Sequence, residues 1–157
     1  MNDIHFVKLE NSGKVAIIDV EFTKDVCQFK WYLDSKGYVF RYTSRYHREL
    51  LHHRIFGCKR LDHADRDRLN NKLSNLRKAT SSQNNANRGK YSTKQFTSKY
   101  KGVHFEKSCK MWRVRLYFKK QSFYGGYFDS EVEAAKAADI LAVKIHGNFA
   151  VLNFKNI

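Results

Sequence analysis

The sequence contains no proline, only 8 glycines and 3 cysteines, and half as many acidic as basic side chains. Without proline there is no rigid polyproline spacer. The cysteines, Cys27, Cys58 and Cys109, are odd in number and far apart. They form no paired zinc motif and no disulfide framework, which fits a reducing cytoplasm. No apolar run is long enough to span a bilayer, and the opening Met1-Asn2-Asp3-Ile4-His5 is too polar for a signal peptide. A cytoplasmic protein is therefore expected, without a membrane or protein partner. No internal repeat is present.

The chain has 157 residues with 42% hydrophobic content, enough for one ordinary domain or two small ones with real cores. Aromatic residues make up 15% of it, and the net charge is +15. Such a basic chain is expected to meet a polyanion, nucleic acid first among them. The excess is uneven. Residues 1–50 hold 8 Lys and Arg against 7 Asp and Glu, residues 51–97 hold 11 against 3, and residues 98–157 hold 11 against 5. The middle and the end are the expected sites of polyanion contact.

Local patterns predict an α+β fold. Residues 1–50 read as a β-rich lead-in, with strands at 14–20, 31–33 and 38–42, a short helix over 25–30, and a turn at Ser35-Lys36-Gly37. Residues 49–56 suit strand or helix equally. A strand over 59–63, a polar loop over 64–74, a return strand over 76–80 and a helix from Thr80 or Ser81 to Asn87 follow. Residues 89–98 read as a linker. Residues 99–157 predict three strands, at 102–105, 111–118 and 121–128. A helix over 131–146 follows, opened by the Ser130 and Glu133 capping box and stopped by Gly147. Val132, Ala135, Ala138 and Ala142 lie on or near one face of that helix, so it can lie close to a sheet.

The densest chemistry lies in residues 62–88. Asp62-His63 is followed by Asn75 twelve residues after His63 and by Asn84 nine further on, with Leu76-Arg77 and Thr80-Ser81-Ser82-Gln83 between. A carboxylate beside a histidine, with a later amide oxygen, can hold one hard divalent cation next to a general base. This pattern resembles the HNH nuclease family in an H-N-N variant. The resemblance implies two strands and a helix around a metal, with His63 as general base, Asp62 and Asn84 as metal ligands, and Asn75 pinning the loop behind His63. It implies one Mg²⁺ or Mn²⁺ and phosphodiester hydrolysis leaving a 5′ phosphate and a 3′ hydroxyl. Asn85 and Asn87 are close enough to exchange roles with Asn84. His52-His53-Arg54 is a further candidate segment: its His53-Arg54 best matches a Leu-His-Arg segment that precedes the motif in such relatives, and it is either part of the site or structural. Arg54, Arg66, Arg68 and Arg77 are expected on the DNA backbone. Trp31, Gly37-Tyr38 and His53-Arg54 make residues 1–50 similar to the lead-in of phage and mobile-intron endonucleases.

The last segment resembles the APETALA/ethylene-response-factor DNA-binding domain. The resemblance is carried by Ser98-Lys99-Tyr100-Lys101-Gly102-Val103, Trp112-Arg113-Val114-Arg115, Gly126-Tyr127-Phe128-Asp129, Glu133-Ala134-Ala135, Ala138 and His146 to Phe154. It implies three antiparallel strands on one helix, with the sheet in the DNA major groove. Independently, Trp112, Val114 and Leu116 alternate with Arg113, Arg115 and Tyr117, so one face can be core while the other offers guanidinium groups to bases and phosphates. Lys99, Lys101, Trp112, Arg113, Arg115, Lys119, Lys120 and Tyr124 are the expected DNA contacts. Together these readings predict a site-specific endonuclease of homing type acting on double-stranded DNA, with a lead-in over 1–50, a nuclease core over 51–88 and a DNA-binding domain over 99–157. The alternative is a DNA-binding regulator that retains an inactive finger.

Overall fold

The computed structural model describes residues 3–90 and 97–154; residues 91–96 of the expected linker lie outside them. The chain is mixed α and β, with several small sheets and four α-helices among the described residues. It divides into two compact units, Met1–Thr80 and Ser81–Ile157.

The first unit opens with a hairpin of β1 (Ile4–Lys8) and β2 (Val15–Asp19), with Phe6 opposite Ile17. Strand β1 escapes a reading by apolar pattern because Ile4 and Phe6 point outward, 44% and 55% exposed, while Val7 faces the core. The helix expected over 25–30 is one turn, α1 (Thr23–Val26). Trp31 explains why the chain turns there. It is fully buried and its indole N–H donates to the Val26 carbonyl at 2.9 Å, so the segment after α1 folds back over it. Strands β3 (Tyr32–Leu33), β4 (Val39–Ser44) and β5 (His47–Leu50) form an antiparallel sheet in that order. Residues 49–56 prove to be both alternatives in succession, since β5 passes directly into α2 (Leu51–Phe56). Gly57 ends α2 in the left-handed region, where a side chain would be strained. Strands β6 (Leu61–His63) and β7 (Leu76–Lys78) pair antiparallel. One core of Val7, Leu9, Ile18, Val26, Trp31, Val39, Leu51, Ile55 and Leu76 joins the opening strands to this pair.

The second unit begins with α3 (Ser81–Ala86). Its sheet runs β10-β9-β8, from β8 (Val103–Glu106), β9 (Met111–Phe118) and β10 (Gln121–Phe128), with α4 (Glu131–His146) against it. Ala134, Ala135, Ala138 and Ala142 form the buried face of α4, whereas Val132 lies outside it at 43% exposure. Small side chains bring the helix close to Val103 and Val114. The same closeness explains Gly125. A Cβ there would come within 2.6 Å of Val114 Cγ1, so only glycine fits, and the register of β10 against β9 shifts at this point.

Candidate active site

Strand β6 carries Asp62 and His63 side by side, both buried, at 7% and 5% exposure. Across the ladder, Arg77 stands opposite Asp62 and donates to its Oδ2 from Nε at 3.0 Å and from Nη2 at 2.8 Å. This cross-strand ion pair offsets the cost of burying the carboxylate.

The loop from Ala64 to Asn75 is irregular but well bonded. Asn75 accepts from the Asp65 amide on its side chain at 3.0 Å and from the Ala64 amide on its carbonyl at 2.8 Å. Its Nδ2 donates to the Asn70 carbonyl at 2.7 Å. Both ends of the loop are therefore tied through one residue, immediately after His63. The loop also docks on β2: the Ile17 amide donates to Leu69 and the Asn71 amide donates to Ile17, each at 2.7 Å.

Asn71 is the residue that the sequence pattern does not reveal. It is fully buried, and its Nδ2 donates to the carbonyls of Arg68 and Leu69. Those two bonds fix the amide orientation, so Oδ1 faces His63 Nε2 at 3.3 Å. An acceptor there places the imidazole proton on Nε2 and makes Nδ1 the basic nitrogen. Burial pushes His63 below the ordinary histidine range, against the Asn71 contact and the carboxylates of Asp65 and Asp62. The ring is thus neutral near pH 7.

Helix α2 brings a second imidazole to this one. The sequence singles out His53, but the α2 histidine packed on His63 is its neighbour His52, with ring centroids 4.9 Å apart. His53 lies 4.4 Å from His52, and Tyr38 closes the cluster, 5.5 Å from His52 and 6.2 Å from His63. His52 is 4% exposed, its Nδ1 has no hydrogen-bond partner, and burial beside His63 and His53 lowers its pKa to about 3.

The other expected site residues are distributed as follows. Arg54 is engaged by Asp25, through Nε at 2.6 Å and Nη2 at 2.5 Å, and by Glu49 at 3.4 Å. Arg66 and Arg68 are exposed on the loop; the Arg68 guanidinium covers the Tyr38 ring and donates to the Lys36 carbonyl. Asn84 lies half-buried on α3, Asn85 is exposed, and Asn87 follows the helix at 5% exposure. These asparagines fall in the second unit and Asp62 in the first.

In the second unit, the sheet face away from α4 interleaves cations with aromatics. Tyr124 pairs with Arg115 and Tyr127 with Arg113 across β9 and β10. Tyr117, Tyr124 and Tyr127 are 57%, 65% and 50% exposed. Arg113 is held by Glu106 at 2.8 Å, yet the Nε atoms of Arg113 and Arg115 are buried without a partner. Trp112 is half-buried on the core side, 5.0 Å from Phe105. Lys99 is exposed, while the Lys101 ammonium donates to the carbonyls of Ala86 and Arg88 at 2.5 and 2.7 Å and so ties the end of α3. At the tip of β9 and β10, Lys119 and Lys120 both have left-handed backbones, with φ of 47° and 66°. Such a turn favours Asn-Gly, so two exposed lysines there carry a local backbone cost.

Among the described residues, no three His, Cys, Asp or Glu side chains cluster so as to hold a metal ion. A carboxylate oxygen is the donor type a hard cation takes, and Asp62 Oδ2 is engaged by Arg77. No helix among the described residues is long and apolar enough to cross a membrane.

Over 158 aligned positions the chain is 27% identical to an uncharacterised HNH endonuclease of Acanthamoeba polyphaga mimivirus, an alignment covering 96% of this chain and 81% of that protein. Over 61 residues, 38% of this chain, it is 43% identical to APETALA2-like protein 2 of rice, in both Oryza sativa subsp. indica and subsp. japonica. The chain spans only 14% of those rice proteins. No family model and no solved structure matches the chain.

Proposed function

We propose that this protein is a metal-dependent DNA endonuclease of the HNH type, in which residues 51–88 cut and residues 99–157 select the site. The observation that carries the reading is the His63 arrangement: a neutral imidazole oriented by Asn71, next to Asp62 on one strand and behind a loop pinned by Asn75. The near-full-length similarity to an HNH endonuclease supports it. His63 Nδ1 takes the proton of a water as that water attacks phosphorus, the bond from phosphorus to the 3′ oxygen breaks, the leaving oxygen takes a proton from solvent water, and a 5′ phosphate and 3′ hydroxyl remain. Asp62 and, on the sequence pattern alone, Asn84 are the proposed ligands of one Mg²⁺ or Mn²⁺. When bound, that ion supplies charge neutralisation at the phosphate and the leaving oxygen. Because Arg77 already holds Asp62, the affinity for the free ion is expected to be weak.

The face of Arg113, Arg115, Tyr124 and Tyr127, with Lys119 and Lys120 at its tip, is the proposed groove reader. The partial similarity to a plant APETALA2-like protein supports this, and so do the exposed Tyr124 and Tyr127 paired with these arginines. Arg66 and Arg68, exposed on the loop, are the proposed phosphate contacts. A homing endonuclease of phage or mobile-element origin, acting on double-stranded DNA in a host cytoplasm, combines these parts. The pairing of Arg77 with Asp62 favours a second reading, a DNA-binding regulator with an inactive finger. Incubation with a mixed duplex library and Mg²⁺ separates them. Defined cut ends that vanish on chelation are expected, and binding without any cutting leaves the regulator.

A further inference from the structure

The first fifty residues are almost neutral in sum, yet the sheet of β3, β4 and β5 separates its charges by face. On one face Arg41 pairs with Glu49 at 2.6 Å and lies over Phe29. The other face is built from Tyr32, Phe40 and Tyr42, with ring centroids 5.3 to 5.9 Å apart. Arg48 stands opposite Tyr42 and lays its guanidinium over Phe40 at 4.4 Å and Tyr42 at 5.2 Å. At the hairpin tip Arg45 lies over Tyr46, which is 80% exposed. Neither Arg45 nor Arg48 has a carboxylate partner among the described residues. Beside this face lies an open cavity of about 440 Å³ lined by Leu33, Asp34, Ser35, Lys36, Phe40 and Arg48. The carboxylate of Asp34 is engaged by the amides of Lys36 and Tyr38, so the positive groups set the character of the rim.

Exposed tyrosines on a sheet, each with an arginine against it, offer π-faces and unneutralised cations at the same place. Bases stacked inside a duplex cannot reach such a surface, whereas unpaired bases can lie on it while their phosphates meet the arginines. We propose that the β3-β4-β5 face is a binding site for single-stranded DNA, with Tyr42 and Tyr46 stacking bases and Arg45, Arg48 and Lys36 holding the backbone. The proposal does not depend on the assignment of the cutting and groove-reading residues; Lys36 borders the loop of the first, since the Arg68 guanidinium donates to its carbonyl.

The test uses the full chain carrying His63→Ala, in chelator, so that neither cleavage nor metal enters the reading. The probes are a fluorescein-labelled single strand of mixed sequence and the same strand annealed to its complement, titrated across a salt series. Tyr42→Ala and Tyr46→Ala are each expected to weaken single-strand binding by about 5- to 150-fold and duplex binding by less than about 2-fold. Tyr46→Phe keeps the ring and is expected to keep the affinity. Arg45→Ala and Arg48→Ala are each expected to lower the salt slope on the single strand by about 0.7. Tyr46 is too exposed for its loss to be a folding defect, and equal melting temperatures check this for Tyr42. Unchanged single-strand affinity in both tyrosine variants, or equal losses on single strand and duplex, would overturn the proposal.

Discussion

The lysine pair at the tip of β9 and β10 allows stability and binding to be pulled in opposite directions by one change. Lys119 and Lys120 both occupy the left-handed region. That conformation costs a side-chain-bearing residue about 1–2 kcal/mol, less for asparagine and nothing for glycine. In Lys119→Asn with Lys120→Gly, the folded state gains roughly 2 kcal/mol of relieved strain. The greater freedom of glycine in the unfolded chain returns about 0.5–1 kcal/mol of this. The net gain should be about 1 kcal/mol. It is read as a higher denaturant midpoint at unchanged slope. The same change removes two positive charges from the proposed groove-reading unit. If both lysines meet phosphate, the salt dependence of duplex binding should fall by about 1.8 in slope, with all sequences weakened alike. A variant that is more stable and binds less steeply is the expected result. No gain in stability would refute the strain argument, and an unchanged salt slope would remove the tip from the interface.

Three further outcomes follow from particular contacts. His52 is nearly buried, with a pKa lowered to about 3 against its ordinary 6.5. The unfolded chain therefore binds the proton first, and stability is full well above about pH 6.5 and is lost as pH falls, by up to about 1.4 kcal/mol per unit and roughly 4 kcal/mol by pH 3. Urea unfolding between pH 7.5 and 4.5 should show a shallower decline in His52→Leu; an identical decline would mean that another group, such as His63, carries it. Asp139 is 1% exposed and accepts from the amides of Asn153 and Phe154 and from Asn153 Nδ2, at 2.8 to 3.0 Å, so Asp139→Ala should cost about 3 kcal/mol or more by releasing the C-terminal segment from α4; calorimetry checks it. Asp62→Ala and Asn84→Ala should each raise the Mg²⁺ or Mn²⁺ concentration for half-maximal cleavage, and a larger shift for Asn87→Ala with none for Asn84→Ala would move the second ligand along the chain.

The second unit is the more legible in its sequence. Strands β9 and β10 and helix α4 have the bounds that alternation, a two-residue turn and a serine cap indicate. In that sandwich local pattern and burial agree. Strand β1 is illegible because Ile4 and Phe6 point outward and only Val7 faces the core. In α2, periodicity cannot locate the passage from β5, because Leu50 and Leu51 suit both elements. At the site, Asp62, His63 and Asn75 stand out as a spaced pattern. Asn71 does not, since its role comes from burial and from a contact 8 residues away, and the pattern ranks His53 above His52 although His52 is the one packed on His63. Lysines mislead in the other direction. Lys101 reads as a surface cation, but its ammonium satisfies the carbonyls at the end of α3. The hairpin of β4 and β5 is hidden by neutral composition, which does not say which charges are paired.

Cleavage by His63→Ala tests the central claim most directly. The oriented neutral imidazole is the feature on which the endonuclease reading rests. With duplex DNA and Mg²⁺, this variant should cut at least ~10²-fold more slowly than the unchanged protein, as expected for loss of a positioned base, while binding the duplex with nearly the same affinity in chelator. Near-normal cleavage by the variant, or no Mg²⁺-dependent cleavage by the unchanged protein, would contradict the account.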